Sequence, residues 1–444
     1  MKRRDFLKTT SLIASSFLFP SLAFGGEIDL SGVNFDRLIH DDNDAKTIVF
    51  FMYGGPSELG ANLTNLDEIN QKSANDYYDY FGTVTKTANN FWKEAGGEAL
   101  ERMLVNEDVN IFRTCYSELR EKSGNRSHGK SARQTQTGRV SEGAGIFSVL
   151  AKVLHDNGVV TTNSKLPFIT FDGEPYFSST TDISLPNYLQ PVSLYRGLDN
   201  PYDDFTGDWY YATTQEHSNG SPYSIIEDMN RLSLENNPAG KLAENFKQRE
   251  VLKKFIKEIK DDPLPEGIAY PDSIMGITLK NAVKIMLKNP DTKVITAGSH
   301  ALGTWDEHNH ALYYVDRMKE TMEAIEIAMA HIKSANKEGK INIMLFGEFG
   351  RGVNLNDAKG WDHGNNQNLF LFGGKDYFNR VGIVGETYVR DYGRVNRLYT
   401  QPKSGSYWFE PYSIASTIYK MYGITNPEIL TGGHGAIEAG LLKI

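Results

Sequence analysis

At 444 residues, 40% hydrophobic and 23% charged, the chain has ordinary globular composition and ample length for a large core. A net charge of −9 argues against a nucleic-acid surface but not against a small anionic substrate, which responds to the local field. The single cysteine, Cys115, excludes an intrachain disulfide and sits in an apolar stretch where a structural thiol is expected.

Residues 1–25 read as a targeting segment. Lys2-Arg3-Arg4-Asp5-Phe6-Leu7-Lys8 is a charged start with twin arginines, the run Leu12 to Leu22 is apolar, and Ala23-Phe24-Gly25 offers small residues for cleavage. The pattern predicts export through the twin-arginine (Tat) translocase to the periplasm or beyond. The segment is too short and interrupted for a transmembrane helix, and no stretch of the mature chain approaches membrane-span length.

Residues 26–45 read as an irregular lead-in. Lys46 to Tyr53 is the first strong strand, turned at its end by Gly54-Gly55-Pro56-Ser57-Glu58. From Asn62 to Asn90 the Asn-, Asp- and Tyr-rich composition reads as a surface excursion. A helix follows at Glu98 to Val105, a strand at Asp108 to Tyr116, the loop Gly124-Asn-Arg-Ser-His-Gly129, and a helix within Gly143 to Asn157. After a strand at Pro167 to Thr170, the Pro-, Gly- and Tyr-rich residues 163–222 read as an irregular insertion bordering a cleft. Pro222 to Asp261 turns helical, with Lys241 to Lys260 as a solvated amphipathic helix.

A helix at Ser273 to Lys288 leads into the strand Val294 to Ala297 and then Gly303-Thr-Trp-Asp-Glu-His-Asn-His310. Asp306 and His310 are four apart, so a first helical turn there would face both to one side, with His308 pointing elsewhere as a supporting group or simply solvated. Leu312 to Ala335 carries a core-facing helical stripe. Two apolar runs, Ile341 to Phe346 and Leu369 to Phe372, read as buried strands of an α/β sheet. Between them lie Glu348, Arg351, Asp357, Asp362 and His363, spaced by glycine and asparagine. Catalytic groups of open α/β sheets sit in loops at the carboxyl ends of strands. Two Asp/His pairs brought together there would make a mixed N/O metal site. Val381 to Val384 reads as an edge strand, Glu410 to Tyr422 as a closing helix, and His434 lies on the glycine-rich turn Thr431 to Gly435.

Asp-x-x-x-His followed downstream by Asp-His-Gly is similar to the metal-binding pattern of the alkaline phosphatase superfamily. Gly303-Thr-Trp-Asp-Glu-His308, Gly347-Glu-Phe-Gly-Arg351 and Gly360-Trp-Asp-His-Gly364 more narrowly resemble the Tat-exported domain-of-unknown-function 1501 family, a sulfatase-like branch. The resemblance implies one α/β domain over residues 26–444, with a mostly parallel central sheet and helices on both faces. It implies divalent metal, with zinc, calcium, magnesium and manganese all open, and a small anionic ester as substrate. Asp306, His310, Asp362 and His363 would hold metal, His434 would be the last histidine of a two-metal site, and His308 and Glu348 would support the ligands. Ser127 would be the nucleophile, with Arg126, His128 and Arg351 serving the reaction. The resembling family places an Asp in the first loop; here Ser57 and Glu58 stand there, and Glu58 either ligates in its place or is a solvated turn residue. The reading is a metal-dependent phosphate or sulfate ester hydrolase. The alternative is a catalytically silent binding or assembly protein that keeps the fold.

Overall fold

The computed structural model describes residues 28–36, 45–141, 143–171, 175–193, 257–298, 305–391 and 397–443, with isolated positions between 229 and 255. The targeting segment, Gly303 and most of the Pro222–Asp261 helical stretch lie outside the described residues.

Eight strands form the main sheet: β1 (Lys46–Phe51), β2 (Val109–Tyr116), β3 (Phe168–Phe171), β4 (Val192–Ser193), β5 (Val294–Ala297), β6 (Ile341–Phe346), β7 (Asn366–Gly373) and β8 (Ile383–Val384). Their order is β4-β3-β5-β1-β6-β7-β2-β8. Every neighbouring pair is parallel except the two that involve β7, which runs against β6 and β2. The chain is therefore an α/β protein with a mostly parallel sheet.

Helices cover both faces because the strands are apolar on both. Along β1, Ile48 and Phe50 point into one core and Val49 and Phe51 into the other, as the two-residue period of a strand requires. The first core receives α3 (Glu98–Val105), α7 (Ile274–Lys288) and α8 (Leu312–Ser334), through residues such as Leu100, Leu279 and Ile325. Two earlier helices, α1 (Leu66–Lys72) and α2 (Tyr77–Phe81), join it too. The second core receives α6 (Ile146–Asp156) and α9 (Tyr412–Met421), through Val149, Leu150, Ile414 and Ile418. Two shorter helices, α4 (Glu118–Ser123) and α5 (His128–Thr137), follow β2.

Two sequence expectations are corrected here, and one element is added. The Asn62–Asn90 stretch is not a surface excursion: Leu63, Leu66, Ile69 and Tyr77 are fully buried, and Tyr77 stacks near Trp361 with ring centroids 6.4 Å apart. Polar composition hid a short apolar periodicity that the core uses. The hairpin of β9 (Thr387–Asp391) and β10 (Leu398–Pro402) was not foreseen, since its strands carry mixed polar residues. The segment from Trp305 to His310 is not helical, so Asp306 and His310 do not share a helical face. Its backbone bonds outward instead: Glu307 O accepts from Trp361 N (2.7 Å) and His310 N donates to Ala358 O (3.2 Å). Among the described residues, no helix is long and apolar enough to cross a membrane.

Candidate metal centre

The carboxyl ends of β1, β5, β6 and β2 lie on one edge of the sheet, with the amino end of antiparallel β7 among them. Loops from all five meet there. Gly54 lets two of them touch: a Cβ on it would lie 2.3 Å from Asp306 N, and its φ is +108°.

Four side chains converge at this edge. One ligand atom from each of His128, Asp306, His308 and His363 lies within 4.8 Å of the others. His308 Nε2 is 2.9 Å from His363 Nε2 and 3.2 Å from Asp306 Oδ1. The rings of His128 and His363 meet edge to face at 4.4 Å. Phe349 packs against both imidazoles, at 4.7 and 4.8 Å.

Local backbone explains the membership. On a non-helical segment, residues two apart face the same side, so Asp306 and His308 enter together while Glu307 turns away to Arg317 (2.9 Å). His310 follows at φ +56° and is exposed outside the cluster. His363 pairs by backbone bridge with Arg351, which aims its ring inward. His128 is the first residue of α5, capped by Ser127 Oγ, which accepts from Lys130 N at 3.2 Å.

Two carboxylates stand behind the imidazoles. Glu348 Oε1 is 2.7 Å from His128 Nδ1 and also accepts from Gly54 N at 2.8 Å. A carboxylate on one ring nitrogen fixes the tautomer and directs the other nitrogen at an ion, the usual support of metal-bound histidine. Asp362 Oδ1 stands more loosely behind His308, 3.8 Å from Nδ1. Asp362 is thus behind the cluster and His363 within it.

The residues fit a divalent ion. His128 Nε2 is buried and turned to the cluster, where its near neighbour is Asp306 Oδ1 at 3.4 Å, the oxygen with which it would share an ion. Burial lowers the His363 pKa to about 3, assisted by Arg351, His128, His308 and Arg120, so the ring is uncharged at neutral pH. Burial also lowers that of His308, again with Arg351. On His128, burial acts downward but is outweighed by Asp306 and Glu348, which raise its pKa to about 9 in the absence of an ion. Burial acts upward on Asp306, but His128 and Arg351 hold it well below the usual carboxylate range. Three imidazoles and one carboxylate form the mixed donor set that suits zinc or manganese.

The remaining predicted residues lie elsewhere. Glu58 is buried, not solvated, in a polar network with Asn62 and Asn366, and burial raises its pKa to about 7 against the pull of Thr400, Asn366 and Arg113. His434 packs on Tyr412 at 4.8 Å and is not in the cluster. Arg126 and Ser127 are exposed at the start of α5. Arg351 is buried behind Asp306, 2.5 Å from Oδ1. The sequence reading missed Arg120, buried over the Phe349 ring at 4.0 Å and bonded to Gly364 O at 2.6 Å, because nothing in Glu118–Ser123 marks one arginine as internal.

No protein-family model matches the sequence, and no curated protein does. Solved structures similar to the chain include the lipoteichoic acid synthase LtaP from Listeria monocytogenes. It shows 10% identity over 93% of this chain and 80% of that one, with a TM-score of 0.38. Alkaline phosphatase from the Antarctic bacterium TAB5 shows 12% identity over 85% and 97%, at 0.34. The C-terminal periplasmic domain of EcEptC from Escherichia coli, in complex with Zn, shows 8% identity over 88% and 85%, at 0.35. At these scores the likenesses assign no residue and no activity. What fold and site define on their own is an α/β protein with a His/Asp cluster at the carboxyl edge of its sheet.

Proposed function

We propose that the protein is an exported, metal-dependent hydrolase of phosphate or sulfate esters, with an alkaline-phosphatase-like domain over residues 26–444. The observation that carries this reading is the convergence of one ligand atom each from His128, Asp306, His308 and His363 within 4.8 Å, with Glu348 bonded to the far nitrogen of His128. These four residues would hold the ion. When bound, it supplies charge neutralisation at the ester oxygens as negative charge develops there.

Ser127 is the candidate nucleophile. Its oxygen accepts from Lys130 N, and its exposed hydroxyl would pass its proton to a solvent water as Oγ forms its bond to phosphorus or sulfur. The bond to the ester oxygen breaks and that oxygen takes a proton back from water; a second water then attacks phosphorus or sulfur, breaks its bond to Oγ and returns a proton to Ser127. Arg126, exposed beside it, offers a guanidinium fork to the non-bridging oxygens.

A second reading, a silent binding protein with a structural ion, is favoured by one observation. Glu58 is spent in its own buried network, so the first loop gives the cluster no carboxylate. The two readings part on paired variants. Ser127→Ala should abolish turnover of aryl phosphates and aryl sulfates with ion content unchanged, and Asp306→Asn should lose ion and turnover together. Wild-type protein carrying its ion and turning over neither ester class would leave the silent reading.

A further inference from the structure

The resemblance leads to the expectation of two metal ions, yet the cluster supplies four donors, one of them a carboxylate. The place beside Asp306 is already filled by a cation, the guanidinium of Arg351, which is 1% exposed. Nε donates to Gly55 O (2.8 Å) and Nη1 to Trp361 O (3.0 Å). Nη2 donates to Gly54 O, to Trp305 O (3.4 Å) and to Asp306 Oδ1 (2.5 Å). Five oxygens from the loops after β1, β5 and β6 thus surround one buried positive charge. Carbonyl oxygens with a carboxylate are also the donors that a hard divalent cation selects. Taking on a second ion there would require displacing the guanidinium from the oxygens it bonds, which leaves a buried charge without its partners and is costly.

We propose that Arg351 stands in the position of a second cation, so that the centre binds one ion per chain, shared by His128, Asp306, His308 and His363. The inference rests on the metal-binding reading above. It makes Arg351 a positioning residue: it fixes Asp306 Oδ1, joins three loops, and sets Nη1 3.3 Å from His308 Nε2, so it borders two of the four ligands. Geometry agrees on the far side as well. Ser57 Oγ turns back to Leu59 N and Glu58 to Asn62 and Asn366, so the first loop presents the guanidinium with backbone carbonyls alone.

The test is ion stoichiometry on the full mature protein. After chelation, equilibrium dialysis against zinc or manganese, followed by elemental analysis, should saturate at one ion per chain. Saturation at two overturns the inference and leaves the metal reading standing; no bound ion overturns both. Arg351→Lys keeps a positive charge and should keep the ratio at one. Arg351→Gln removes the charge, and in millimolar calcium its total should rise toward two, because Asp306 and the loop carbonyls are left without a cation. A folded Gln variant that stays at one refutes the stand-in role. If that variant does not fold, the wild-type and Lys ratios still decide, since two ions in either one refutes it.

Discussion

Asp306 and His308 face one side of a non-helical segment, and His310 leaves it at a positive φ. That two-residue displacement gives a sharp test. His308→Gln should lower ion affinity by roughly ten- to a hundredfold or more, while His310→Gln should leave it unchanged, both read by competition with a chromogenic chelator. Equal losses in the two variants would contradict the placement. The sequence marked Asp306, His308, His310, Glu348 and His363 as chemistry-bearing, but it could not order them. Membership depends on whether the segment after β5 is helical, and that is decided by Glu307 O and His310 N bonding to the distant 358–361 loop. His128 was marked as serving the reaction beside Ser127, not as a member of the ion site. Its partner Glu348 is 220 residues away, so no local pattern joins them.

The same residues set a pH dependence. In ion-free protein, His128 has its pKa raised from 6.5 to about 9 despite burial, by Asp306 and Glu348. A group raised in the folded state contributes stability that is fully present below pH 6.5 and lost as pH rises through about 9. Urea midpoints of chelated protein should therefore fall between pH 6.5 and 9.5, and that fall should be reduced in His128→Gln. Asp306 contributes with the opposite sign: its folded pKa is depressed, so its share is lost as pH falls below its ordinary value of 3.8. Ion binding runs against the alkaline trend, because His128 must release its proton to ligate, so affinity should rise over the same interval.

At the scale of elements, the strands and long helices follow from apolar pattern. Lys46–Phe51 and Ile341–Phe346 are buried throughout, and Leu312–Ser334 buries Met318, Met322, Ile325 and Met329 along one stripe. The loops between them carry the site, and their shape depends on contacts between distant segments. Gly54 is the clearest case. A methyl group there would meet Asp306 N at 2.3 Å and Trp305 C at 2.6 Å, both backbone, on a residue at φ +108°. Gly54→Ala should push the Trp305–Asp306 segment away from the β1 loop and disturb the Gly54 contacts with Arg351 and Glu348. The expected cost is about 1–3 kcal/mol of stability from backbone strain alone. Ion affinity should fall as well, because Asp306 moves. Chemical denaturation together with ion titration checks both, and a variant with wild-type affinity would show that the loop contact does not position Asp306. By contrast, Gly124→Ala, where no atom lies within 4 Å of the added carbon, should leave ion binding untouched.

At the scale of the whole molecule, the α/β class and the location of chemistry at one sheet edge were readable from strand runs followed by Gly-rich loops. The reversed direction of β7 was not, because a buried strand reads the same either way. Its consequence is functional: running against β6, it begins at the site edge and brings the preceding His363 there. The same whole-chain view bears on export. The centre is assembled from residues between 128 and 363, so it exists only once the chain has folded. Cys115 is buried with its thiol pKa pushed well up by burial, and folding calls for no disulfide, so the fold can be completed in a reducing compartment. Under the proposed export, a translocase that carries folded proteins would suit such a chain, with Arg3-Arg4 as the expected signal. Replacing both arginines by lysine should leave the precursor in the cytoplasm, folded and with Cys115 slow to react with thiol reagents. Cell fractionation measures the first property and alkylation under native conditions the second. Mature protein delivered to the periplasm at the wild-type level would overturn export by this route, and rapid alkylation of the retained precursor would show that the fold is not completed before transport.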